Sequence, residues 1–94
     1  MLRILVTYTA DDAKKIKAFY ETVDKAKIVA TTRREEGCLR YDYYFSADRD
    51  NEILLVEEWE SKDAQQLHMT KLHMARLATA KEKHGVTSKL TILE

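Results

Sequence analysis

The chain has 94 residues, with 16 Lys and Arg balanced by 16 Asp and Glu, three His, one Cys, two Gly and no Pro. One domain (1–94) is expected, because a chain of this length buries only roughly 65% of its unfolded surface. Zero net charge excludes binding driven by a basic surface, as nucleic-acid proteins require, and no apolar run approaches the ~18 residues of a membrane span.

Residues 2–9, LRILVTYT, alternate and are rich in β-branched and aromatic types, which predicts a strand. Asp11 and Asp12 follow at once, with no small-residue cleavage site, so no signal peptide is expected. The two aspartates cap a long helix whose apolar stripe is Ile16, Phe19, Tyr20, Val23, Ala26 and Ala30, ending at Gly37. RREE (33–36) reads as a solvated helix end. The lone Cys38 has no internal disulfide partner, which points to a cytoplasmic protein.

CLRYDYYFS then predicts a second strand, with Leu39, Tyr41, Tyr43 and Phe45 on one face and Arg40, Asp42 and Tyr44 on the other. ADRDN (47–51) is a turn by composition. EILLVEEWE (52–60) is a third strand, apolar on both faces. Ser61 caps a helical segment running from Lys62 to about Lys83, with a possible break near Thr70. Gly85 closes it, His84 sits near its terminal carbonyls, and VTSKLTILE is the last strand.

The order strand, helix, strand, strand, helix, strand predicts an α+β, ferredoxin-like sandwich: a four-stranded antiparallel sheet with helices on one face. The other sheet face, roughly 440 Å² for four strands of about seven residues, would be largely apolar. Such a face is at the limit of what monomers expose, so a homodimer packed sheet to sheet is expected.

The stretch HMTKLHM holds His68 and His73. On an unbroken helix five residues rotate about 500°, which points the two rings ~140° apart and argues against a metal site. His68 reads either as a general base at a cavity wall or as a hydrogen-bonded core histidine. His73 reads as an exposed or capping side chain. Tyr41, Tyr43 and Trp59 are either core packing or a pocket wall with polar handles for a flat, partly oxygenated ring. Glu57 shares a face with Trp59; under helices it needs a partner such as Arg40 or a tyrosine hydroxyl.

EEGCLRYDYY, LLVEEWES and HMTKLHM together resemble the antibiotic biosynthesis monooxygenase family, on Glu36, Gly37, Cys38, Leu39, Tyr41, Glu57, Trp59, His68 and His73. That resemblance implies a dimeric α+β barrel with a small-molecule pocket between sheet and helices in each subunit. It implies oxidation of an aromatic quinol or phenol by O2 without metal, flavin or haem. His68 is then base or anchor, Tyr41 or Tyr43 a hydrogen-bond donor, Trp59 a ring-stacking wall, and His73 a further motif position. The haem-degrading relatives carry an Asn late in the first strand, where this chain has Thr7 and Thr9.

Two other functions fit the same fold: an isomerase of a small polar metabolite, and a non-catalytic dimeric ligand-binding module. A phosphosugar isomerase would need Arg or Lys inside the pocket, and Arg40, the basic residue within a central strand, alternates away from Tyr41 and Tyr43. The aromatic strand motif of RNA-binding versions of this fold is absent.

Overall fold

The computed structural model describes residues 1–94. Its elements are β1 (Leu2–Thr9), α1 (Ala13–Lys25), α2 (Ile28–Arg33), β2 (Cys38–Phe45), β3 (Glu52–Trp59), α3 (Lys62–His68), α4 (Leu72–His84) and β4 (Thr87–Leu93). The strands form one antiparallel sheet in the order β2-β3-β1-β4. This is the predicted ferredoxin-like α+β sandwich.

Helices α1 and α3 start where a side chain replaces a missing backbone partner. The Asp12 carboxylate accepts from the Lys15 N–H at 2.8 Å, and the Ser61 hydroxyl accepts from the Ala64 N–H at 3.1 Å. The first helical region is not continuous to Gly37. Lys27 adopts φ 59°, ψ 26°, a left-handed conformation that ends α1 and restarts the chain as α2. The reset moves the apolar stripe, so Ile28 and Thr32 are buried whereas Ala30 is exposed.

The register assigns each strand residue to a face. Ile4 and Tyr41 both pair with Glu57, Val6 and Tyr43 both pair with Leu55, and Leu2 and Cys38 both pair with Trp59. These side chains face the helices and, with Ile16, Phe19 and Val23 of α1 and Met74, Leu77 and Ala80 of α4, form the core. A bulge between Cys38 and Arg40 takes Leu39 out of the alternation; it is exposed, contrary to its expected place beside Tyr41.

The helix-free face is less apolar than expected. Leu5, Leu54, Val56 and Tyr44 contribute apolar surface, but one end carries a charge ladder. Arg3 pairs with Glu58 at 2.7 Å, Arg40 with Asp42 at 3.0 Å, and Arg33 with Asp42 at 2.7 Å. These pairs are solvent-facing and each contributes at most about 1 kcal/mol. Strand β4 is exposed at all seven positions.

Both glycines have positive φ, but their surroundings differ. At Gly37 (φ 86°) an added Cβ would lie 2.7 Å from the Cβ of Ala64 on α3; at Gly85 (φ 65°) nothing lies within 4 Å. Gly85→Ala therefore meets only the left-handed backbone cost, about 1–2 kcal/mol. Gly37→Ala adds an overpacking cost of about 1–3 kcal/mol. Denaturant titration of the two variants should place Gly37→Ala lower; equal losses would show that α3 moves aside freely.

Candidate functional site

The functional cluster is created by the end of a helix. The Thr70 hydroxyl donates to the Leu67 carbonyl at 2.7 Å, competing with the helical ladder. Lys71 is then extended (φ −73°, ψ 149°) before α4 begins. This break redirects the chain between the histidines, so the ~140° divergence of an unbroken helix does not apply.

Both rings converge on Glu35. His68 Nδ1 lies 2.7 Å and His73 Nε2 2.8 Å from the same Glu35 Oε2. The three side chains are nearly enclosed, with 1% exposure for His68 and 10% for each of the others. A carboxylate oxygen accepts and does not donate, so each of these nitrogens carries a hydrogen toward it. His73 is therefore a buried partner of Glu35 rather than an exposed cap. RREE is not a solvated end either: Glu35 turns inward, while the neighbouring Glu36, the acid of the sequence motif, stays exposed.

With Nδ1–H committed, Nε2 is the free acceptor of neutral His68. It has no hydrogen-bond partner, and the only buried side-chain polar atom lacking one is the Tyr43 hydroxyl. His68 is also one of the residues lining a cavity. Burial holds the imidazole below its ordinary pKa of 6.5, against the partial upward pull of the Glu35 carboxylate. His68 is thus kept as a neutral base.

The cavity beside His68 measures about 190 Å³ and is lined from all four strands and from α3 and α4, with Tyr41, Glu57, Met74, Leu77 and Lys81 among its walls. Its lining is mostly hydrophobic. Tyr41 and His68 pack edge to face, with ring centroids 5.8 Å apart. Burial pushes the Tyr41 phenol well above its ordinary range, so it stays a proton donor.

Two expected wall residues lie one layer back. Trp59 is fully buried, and its ring packs against His68 with centroids 4.6 Å apart. Its Nε1–H donates to Glu57 Oε1 at 3.0 Å, which supplies the partner Glu57 needs; Arg40 is on the opposite sheet face. Burial raises the Glu57 pKa above the ordinary carboxyl value, partly countered by that bond. Tyr43 packs between Tyr8 and Tyr41, with centroid distances of 5.9 and 6.1 Å. His84 lies outside this cluster; its Nε2 meets the Thr22 hydroxyl at 2.8 Å and ties α4 to α1.

Sequence reasoning missed Glu35, Tyr8, Lys81 and Ser88. The Lys81 ammonium donates to the Ser88 hydroxyl at 2.6 Å and sits 5.9 Å from the Tyr8 ring centre, all three residues lining the cavity. The site can also be considered for a metal. One ligand atom each from Glu35, His68 and His73 lies within 4.8 Å of the others, a donor set suited to a divalent transition ion.

Both imidazoles meet the same Glu35 oxygen, so in Glu35→Gln the amide oxygen takes that place and keeps both bonds while the charge that strengthens them is lost. Glu35→Gln should lose about 1–2 kcal/mol of stability, and the exposed Glu36→Gln less than about 0.5 kcal/mol. Nuclear magnetic resonance should show His68 titrating below 6.5, and lower still in Glu35→Gln, where the upward pull is gone. Below about pH 6.5 the unfolded chain then binds more protons at this residue than the folded one, so its contribution to stability falls on acidification. A His68 midpoint at or above 6.5 would contradict the neutral-base assignment.

The family pattern described as antibiotic biosynthesis monooxygenase matches residues 1–80. An uncharacterized protein of Bacillus subtilis, YjcS, is 36% identical over 47 residues, covering 50% of this chain and 45% of that one, so the match spans less than half of that relative. A Deinococcus radiodurans protein named as a candidate antibiotic biosynthesis monooxygenase superposes with a TM-score of 0.88 at 24% identity, over 100% of this chain and 91% of the other. SnoaB, a cofactor-independent oxygenase of Streptomyces nogalater, gives a TM-score of 0.76 at 17% identity, over 99% and 90%. At these identities the structural likenesses concern the fold, whereas the pattern over residues 1–80 is carried by the sequence itself. The chain belongs to the antibiotic biosynthesis monooxygenase family.

Proposed function

We propose that the protein is a cofactor-independent monooxygenase of a small quinol- or phenol-like aromatic, with His68 as its base. The observation that carries this reading is one arrangement: His68 is buried, held by Glu35 through Nδ1, without a hydrogen-bond partner at Nε2, and is one of the residues lining a mostly apolar cavity. In that setting Nε2 takes a phenolic proton from the substrate. The resulting phenolate is electron-rich enough to reduce O2, and a ring carbon forms a bond to oxygen. The proton held on His68 returns to the peroxide; the C–H bond at the oxygenated carbon then breaks together with the O–O bond, so that one oxygen stays on the ring and the other leaves as water with that hydrogen. For a hydroquinone, the products are a hydroxyquinone and water, which balances the four electrons that O2 accepts.

The other residues serve this step through their own chemistry. Tyr41 remains protonated and donates to the developing oxyanion. Glu35 positions the base and stabilises the imidazolium formed in the step, with His73 anchoring it from the far side. Trp59 holds the plane of the His68 ring, and Glu57 is fixed by Trp59. The apolar wall keeps water from the reduced oxygen.

Lys81 favours a second reading, an isomerase of a small anionic metabolite, since it supplies the cavity cation that Arg40 does not. The proposal also includes a homodimer formed through the helix-free sheet face and a cytoplasmic location. No helix is long and apolar enough to cross a membrane.

Oxygen uptake by metal-stripped protein against substituted hydroquinones and anthrones tests the reading. A positioned base contributes about 10²–10⁴-fold. His68→Gln should therefore lower kcat by at least about 100-fold, with Glu35→Gln intermediate. Activity that appears only after Zn²⁺, Mn²⁺ or Fe²⁺ is restored would replace it with a metal-dependent reaction at Glu35, His68 and His73. Absence of uptake with and without metal would leave the isomerase reading.

A further inference from the structure

We propose that the cavity selects a single-ring aromatic carrying a carboxylate, with Lys81 and Ser88 as the anchor for its anionic group. This deepens the reading above and rests on the same cavity, but it concerns the end remote from the base. Three observations support it.

First, the Lys81 ammonium makes no ion pair. Its polar partner is the Ser88 hydroxyl at 2.6 Å, and the Tyr8 ring face lies 5.9 Å away. The ion-paired cations of the fold lie on its outer surfaces, whereas Lys81 lines the cavity and is half-buried. An ammonium beside a hydroxyl offers two donors to one carboxylate.

Second, the one carboxyl on the cavity wall is already engaged. Glu57 accepts from Trp59 Nε1 at 3.0 Å. The cation is therefore left for a ligand.

Third, the volume limits the ring system. A cavity of about 150 Å³ accommodates benzene. At about 190 Å³ this one accommodates a single ring with short substituents, and fused three-ring systems would extend past the exposed Ser88 and Leu90. The anchor and the base belong to opposite walls: Lys81 spans from α4 to Ser88 on β4, whereas His68 ends α3 over Tyr41 on β2. A ring between them places its acid at one end and its hydroxyl at the other.

The test uses probes that do not react with O2 readily: 4-hydroxyphenylacetate, 4-hydroxyphenylacetamide, 4-methylphenol and a hydroxyanthracene. Binding to the intact protein is measured by calorimetry and by the fluorescence of Trp59, the only tryptophan. The acid should bind at least about tenfold more tightly than the amide. Lys81→Met should shrink that ratio to about twofold, and Lys81→Arg should keep it. Ser88→Ala should lower the ratio partway. Equal binding of acid and amide by the unaltered protein would overturn the anchor while leaving the phenol cavity intact. Tighter binding of the three-ring compound would overturn the size limit. Binding of the acid that is unchanged in Lys81→Met would place the anion elsewhere. If none of the four compounds binds, both the anchor and the oxygenase cavity fail, and that outcome is distinct from failure of the anchor alone.

Discussion

One carboxylate oxygen shared by two imidazoles organises the site. Glu35 lies in the turn after α2, His68 ends α3, and His73 lies in the first turn of α4, so Oε2 joins three helices that the chain visits separately. Taking a carboxylate out of water is costly unless its lone pairs are satisfied, and two N–H donors at 2.7 and 2.8 Å provide that satisfaction. The same contacts choose the tautomers. Because Nδ1 of His68 is held, Nε2 becomes the reactive end, and this selection follows from packing rather than from the histidine itself.

Around this hub burial acts on four neighbouring groups in one direction, toward the neutral form. Burial lowers the basicity of His68 and weakens the acidity of Tyr41, Tyr43 and Glu57. A neutral base facing a protonated phenol is a useful pairing for a reaction that starts by removing one proton from an apolar substrate. Lys81 stands where the cavity meets the exposed strand β4.

Much of the fold was legible because period and turn chemistry are local. The alternation of LRILVTYT, the apolar run ILLV, the caps Asp12 and Ser61 and the closing Gly85 all fall where the structure uses them. The departures have physical causes that composition does not display. Lys27 takes a left-handed conformation normally left to Gly or Asn, and the bulge at Leu39 changes a face by one residue. At the site, Tyr41, Glu57 and His68 could be placed from strand and helix faces. Glu35 could not, since in a run of four charged residues nothing local tells which one turns inward. The convergence of His68 and His73 depends on a Thr70 hydroxyl breaking a helix that contains no Gly or Pro at that point.

The exposure of β4 has a consequence for how the cavity is reached. This strand is hydrogen-bonded along one edge only, to β1, and none of its seven residues is buried. Elements with few buried contacts open locally at a small fraction of the free energy needed to unfold the whole chain. Ser88 and Leu90 belong both to that strand and to the cavity wall. Local opening of β4 therefore also opens one wall of the cavity, so the sheet edge and the interior share a single weak element.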